Sequence, residues 1–234
     1  MLKVVEKTWN QFWAEYWRID DRHSIPGIFE WDGQLVNFIE NVCQLSPGER
    51  ILDLGCGGGD QAKVFAQKGY QVVGVDIAPS LIKFAQQQFQ EEGLRGTFMV
   101  GDMRDIDYHA EFDACVILSG SFGFFGEVED QKLLHSICRA IKVGGKVFIM
   151  FLSANRMNKH SKSWSEKKDG WELLRGAGNS LHLIIDFFSH TCFGLDLKSP
   201  FSKGGFRGIF QVSNPPFPPF LKGGCKQLYA PLSK

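Results

Sequence analysis

"ILDLGCGGGDQ", residues 51–61, sets four glycines among five positions directly behind an apolar run. Glycine packs nothing and costs backbone entropy, so it stands where φ must be positive or where another group must come close. Residues 51–54 read as a buried strand, and the pattern from Asp60 onward reads as a helix. The glycines therefore occupy a turn from strand into helix.

The same rhythm recurs on the C-terminal side. Short apolar runs stand at 50–54, 71–75, 97–100, 112–118 and 146–151, with helical patterns at 60–68, 80–91 and 129–142. Apolar runs without alternation belong to strands buried on both faces, as in a parallel sheet. Strands alternating with helices make the expected fold class α/β, a doubly wound, mainly parallel sheet. On the N-terminal side, Trp9, Phe12, Trp13, Tyr16 and Trp17 form one helical stripe, and Leu35, Phe38, Ile39, Val42 and Cys43 form a second. "IPG" at 25–27 and "SPGE" at 46–49 end these two patterns.

Three regions are expected: an N-terminal helical cap at 1–45, the α/β domain at 46–195, and a tail at 196–234. In the tail "SPFSKGGFRG" (199–208) and "PPFLKGGCKQ" (218–227) match through Pro200/Pro219, Phe201/Phe220 and Lys203/Lys222. A Pro- and Gly-rich repeat has little means of burying a core, and poor order is expected there. A loosely folded edge segment is the alternative reading.

At 234 residues the chain is long enough for one domain with a sizeable core. Its 44% hydrophobic content and formal net charge of +0 fit a soluble globular protein with no electrostatic footprint for nucleic acid or an anionic membrane. No apolar run approaches the roughly 18–20 residues of a membrane span, and the opening "MLKVVEKTWNQFW" is too polar for a signal peptide. The six cysteines include no CxxC pair, which argues against zinc and against a disulfide framework and suits a reducing cytoplasm.

Two cofactor classes use a glycine turn at the carboxyl end of a strand, where free helix N–H groups meet the ligand. A dinucleotide fingerprint needs Gly or Ala at position 60, which holds Asp60. The order Asp53-x-Gly55-x-Gly57-x-Gly59 instead resembles the first motif of the class I S-adenosylmethionine-dependent methyltransferases. Asp76 at the end of the next strand, "VGDMRD" at 100–105 and "IKVGGKVFIMF" at 141–151 stand in register with that family.

The resemblance implies S-adenosyl-L-methionine as cofactor and no metal. It implies that Gly55, Gly57 and Gly59 admit the methionine part, that Asp53 holds its amino group, and that Asp76 takes the ribose hydroxyls. Ile77 and Met103 would enclose the adenine, Asp102 would accept from its amino group, and Ser119 would line the mouth. Bracing roles within the protein remain open for Asp53 and Asp102. Cys56 reads as a small neutral filler.

"SGSFGFF" after the fourth strand resembles the stretch found there in small-molecule methyltransferases, with Phe122, Phe124 and Phe125 roofing the acceptor. Packing against a helix is the other reading of these rings. Tyr16 or Trp17 would close over the cofactor, where a ring face favours a sulfonium by about 0.5–2 kcal/mol; otherwise the first helix docks on the core. "NPPF" at 214–217 matches a signature of amino-group methylation, but it lies in the repetitive tail instead of behind the fourth strand. His109, His135 and Asp130 are candidate general bases, and none is assigned.

The expected function is methyl transfer to a small-molecule acceptor in the cytoplasm, with no nucleic-acid or membrane partner; the sequence assigns neither the acceptor atom nor an oligomeric state. A cofactor-binding protein without turnover and an NAD-dependent oxidoreductase are the rival readings. The sheet is expected to close with a hairpin whose first arm is 180–188 and whose second arm is no better than "GIFQV" at 208–212, leaving an incompletely covered edge.

Overall fold

The computed structural model describes residues 5–7, 11, 28–123, 125–152, 164–168, 171–175, 180–186 and 225–227. In chain order the elements are β1 (Val5–Lys7), α1 (Ile28–Cys43), β2 (Arg50–Leu54), α2 (Asp60–Gln67), β3 (Gln71–Asp76), α3 (Pro79–Glu91) and β4 (Gly96–Val100). A 3₁₀ turn at Met103–Asp105 follows, then β5 (Phe112–Ile117), α4 (Glu127–Ala140), β6 (Ile141–Leu152), β7 (Trp164–Lys168), β8 (Trp171–Arg175), β9 (Ser180–Asp186) and β10 (Cys225–Gln227).

The main sheet runs β4-β3-β2-β5-β6-β9-β8-β7. Its first five strands pair in parallel, and β9, β8 and β7 are added antiparallel. Successive side chains of a strand point to opposite faces, and both faces are apolar. Leu52, Val73, Cys115, Val147 and Ile149 pack with Leu133 and Ile137 of α4. Ile51, Val72, Val116 and Phe148 pack with Val36 of α1, Phe65 of α2 and Ile82 of α3. Helices thus cover both faces, the doubly wound arrangement expected from unalternating strands.

Phe112 joins Cys115 and Ile117 in the cluster on the α4 face. The β5–β6 register shifts beside it, with Phe112 opposite Ile141 and Ala114 opposite Lys146, so β6 carries three extra residues there.

Three expectations need correction. The strand read at 146–151 begins at Ile141, so the helix before it ends at Ala140. The edge expected near 180–188 is covered: β9 lies between β6 and β8, with Leu173 opposite Leu183 and Trp171 opposite Ile185. Its second arm comes from upstream, where β7 and β8 pair antiparallel with Lys168 opposite Trp171, and Asp169 and Gly170 stand between them in the sequence. Asp-Gly between two strands is the connection a tight hairpin favours. Cys138 is disulfide-bonded, against the expectation of no disulfide framework; Cys56 and Cys115 are free thiols.

The described parts of the cap are helical Gln11, α1 and the unexpected strand β1, which pairs antiparallel with β10 in a two-stranded sheet. Otherwise the stripe of Trp9 to Trp17, the break at 25–27, "GIFQV", "NPPF" and the repeat at 196–234 lie outside the described residues.

Candidate functional site

The turn behind β2 is tied to the end of β3, since Gly55 and Cys56 both donate their amides to the Val75 carbonyl, at 2.8 and 3.2 Å. Gly57 has φ 55 and Gly59 has φ 83, a region that L side chains rarely adopt. The two positions differ in their surroundings. A Cβ on Gly59 would lie 3.1 Å from the Ala85 Cβ, so that glycine lets α2 approach α3. A Cβ on Gly57 would meet nothing within 4 Å among the described residues. The open side of the turn is at Gly57.

Asp76 closes β3 directly beside it. Its Oδ2 accepts from the Gly57 amide at 2.9 Å and its Oδ1 from the Ala78 amide at 2.8 Å, just before Pro79 opens α3. Burial pushes this carboxyl above its ordinary value, while the amides of Ala78, Gly57 and Ile77 pull it back. Ile77 is half-buried.

At Gly55 a third and a fourth segment arrive. A Cβ there would lie 3.1 Å from Ser121 and 3.2 Å from Cε of Met103, so the segments behind β5 and β4 close upon the glycine turn. Met103 is half-buried and packs on the core with Tyr108 and Phe125. Asp102 caps the 3₁₀ turn, accepting the Arg104 amide at 3.0 Å. Its carboxylate is also held by the Arg104 guanidinium, with Nε 2.9 Å from Oδ1 and Nη2 on Oδ2. Asp102 therefore braces its turn, and any hydrogen bond it makes to a base is shared with Arg104, a residue the sequence reading missed.

The segment behind β5 is strained. Ser119, exposed, has φ 56, and Gly120, Gly123 and Gly126 are also left-handed. Phe122 does not roof a mouth: it is 3% exposed and belongs to the core cluster beneath the segment. Its apolar ring is driven inward because the segment turns back on the α4 face. Phe125 remains half-buried, with the Arg104 guanidinium 4.5 Å over its ring. Tyr16, Trp17 and the Phe124 ring lie outside the described residues.

Asp130 on α4 is 2% exposed beneath this segment. Burial pushes its carboxyl up to about 6, against the amides of Phe125, Gly126 and Gly123. His135 is exposed, its Nδ1 2.8 Å from the Gln131 carbonyl of its own helix, and His109 is exposed near Asp107. None of these three is placed at the Gly57–Asp76 turn.

Asp53, 1% exposed, sits within β2 on the side of Ile51, the face covered by α1 and α2. Burial first, then its charge, raises the thiols of Cys56 and Cys115, so Cys56 is kept neutral as expected. Beside the turn, Gln61 of α2 donates to Asp32 of α1 at 2.6 Å, both side chains buried. The sequence reading missed this pair, although an acid opposite an amide inside two apolar helix patterns was a signal. Among the described residues no cluster of His, Cys, Asp and Glu could hold a metal ion.

Residues 51–145 match the methyltransferase domain family. Over 142 residues the chain is 32% identical to a ubiquinone biosynthesis O-methyltransferase of Idiomarina loihiensis, covering 55% of this chain and 51% of that one. The chain spans about half the length of the curated relatives it matches. The PH0226 protein of Pyrococcus horikoshii shares the fold at a TM-score of 0.59 and 18% identity, over 74% of this chain and 98% of its own. An S-adenosylmethionine-dependent methyltransferase of Clostridium acetobutylicum does so at 0.51 and 14%, over 77% and 82%.

Proposed function

We propose that this chain carries a class I S-adenosylmethionine-dependent methyltransferase domain, binds that cofactor at the carboxyl ends of β2, β3 and β4 and methylates a small molecule. The observation that carries the reading is the Asp76–Gly57 turn. A strand-end carboxylate anchors a glycine whose outer side is open, so a ribose can reach the carboxylate while the rest of the ligand lies along the turn.

The residues present fit the cofactor. Asp76 would accept from the ribose hydroxyls, Gly55 and Gly57 would let the methionine part approach, and Asp53 would face its amino group as a buried charge. Ile77 and Met103 would enclose the adenine, with Asp102 accepting from its amino group, and Ser119 would stand at the mouth. When bound, the cofactor supplies an electrophilic methyl group on a sulfonium. The chain's own task is to align the acceptor and exclude water, and alignment alone supplies about 7–11 kcal/mol in favourable cases. Such a displacement needs no nucleophilic residue.

The nicotinamide alternative finds no support. Asp60, 6% exposed, occupies the position where a dinucleotide turn needs a small residue against the helix. The small-molecule reading follows from the relatives' printed function and from a net charge of zero, which offers nucleic acid no footprint. A cytoplasmic location, where the cofactor is supplied, is part of the proposal; no helix among the described residues is long and apolar enough to cross a membrane. The Cys138 disulfide is unusual for that compartment, and counting thiols in protein alkylated at cell lysis tests it.

The test of function is transfer of a labelled methyl group from the cofactor into a fractionated cell extract, with the product identified. Binding without transfer supports the rival protein without turnover. Binding of NAD in place of S-adenosylmethionine supports the oxidoreductase.

A further inference from the structure

Arg104 joins two segments that the sheet keeps apart. Asp102 and Arg104 follow β4, Phe125 follows β5, and β3 and β2 lie between those strands. The guanidinium reaches both oxygens of Asp102 and lies 4.5 Å over the ring of Phe125. A carboxylate fork fixes the plane of a guanidinium, and a ring stacked on that plane is held with it. Phe125 in turn precedes Gly126, the N-cap of α4, so its position sets how the strained segment 118–126 enters the helix.

We propose that Arg104 is a positioning residue that couples the adenine end of the cofactor site to segment 118–126 behind β5, which carries Ser119. The proposal rests on the site reading above, in which the adenine amino group donates to Asp102. Base and guanidinium then converge on one carboxylate, and a base bonded to Asp102 fixes the carboxylate plane, the fork of Arg104 and, through it, Phe125. Filling the cofactor site thereby orders segment 118–126, and by reciprocity a substrate held against that segment tightens the cofactor.

Amide hydrogen exchange over 118–126, with and without saturating S-adenosylhomocysteine, reads this coupling directly. In the unaltered protein these amides should slow about fivefold or more on saturation, the lower range of allosteric coupling. In saturated Arg104→Gln and Phe125→Leu the slowing should shrink to about twofold or less, and the double variant should lose no more than either. Arg104→Lys keeps the charge without the planar fork and should not restore it. Equal slowing in the unaltered protein and Arg104→Gln, rescue by lysine, or no slowing in the unaltered protein overturns the proposal. If Arg104→Gln does not fold, Phe125→Leu, which leaves the Asp102 pair intact, decides. Failure of the unaltered protein to bind S-adenosylhomocysteine at all is a different outcome: it overturns the site reading itself.

Discussion

Oδ2 of Asp76 accepts the amide of Gly57 at 2.9 Å, so the carboxylate expected to bind a ribose also holds the glycine turn in place. Asp76→Ala removes that anchor, the one to Ala78, and the hydrogen bonds to the ribose hydroxyls. Hydrogen bonds to a charged group are worth about 1.5–3 kcal/mol each, so affinity for S-adenosylhomocysteine should fall at least about tenfold. Because burial raises this carboxyl, protonation should weaken binding as pH falls, beginning above the range of an ordinary carboxylate. Asp76→Asn should bind weakly with that pH dependence gone. Calorimetric titration at several pH values checks both outcomes, and unchanged affinity in Asp76→Ala would move the ribose elsewhere.

Gly57 and Gly74 make a matched pair of tests. Gly57→Val places a branched side chain at φ 55, where a Cβ meets nothing within 4 Å among the described residues, so the domain should survive at a strain cost of about 1–3 kcal/mol while cofactor binding is lost. A Cβ on Gly74 would lie 2.6 Å from the Phe98 ring and 2.8 Å from Sγ of Cys56. Gly74→Ala should therefore lower the melting temperature through overpacking. Thermal melts beside binding titrations separate the two; a Gly57→Val protein that binds normally would refute the open-turn reading.

Asp130 should make the fold lose stability as pH rises. A folded-state pKa above the unfolded one means that the group contributes stability below the unfolded value, and that this is lost as pH rises through the folded value. From 3.8 to about 6 is roughly two units at about 1.4 kcal/mol each, an upper bound near 3 kcal/mol for the loss. Among the described residues Oδ1 has no hydrogen-bond partner, so the neutral amide of Asp130→Asn imitates the protonated acid. Urea melts should find Asp130→Asn more stable than the unaltered chain at pH 7.5 and similar to it at pH 4. Parallel pH profiles for the two proteins would contradict this account.

What was legible in the sequence follows from what burial does to pattern. β2, β3 and β5 lie buried on both faces, and their unbroken apolar runs place them to within a residue or two. The hairpin of β7 and β8 was not read, because Glu166, Lys167, Lys168 and Glu172 interrupt its hydrophobic signal. Asp169–Gly170 between two tryptophan-led segments was the cue available. At the site, Asp76 and the glycine turn were readable because order and spacing suffice for them. Arg104 and the Asp32–Gln61 pair were not, since their partners are chosen by tertiary packing. Phe122 and Phe125, alike in sequence, separate only when the segment folds back on the core.

The measurement that bears most directly on the central claim is a structure of the chain with S-adenosylhomocysteine bound. It should place the ribose hydroxyls on the Asp76 carboxylate, the amino-acid part along the open side of Gly57, and the adenine between Ile77 and Met103. A ligand seated elsewhere, or a ribose with no contact to Asp76, would contradict the account.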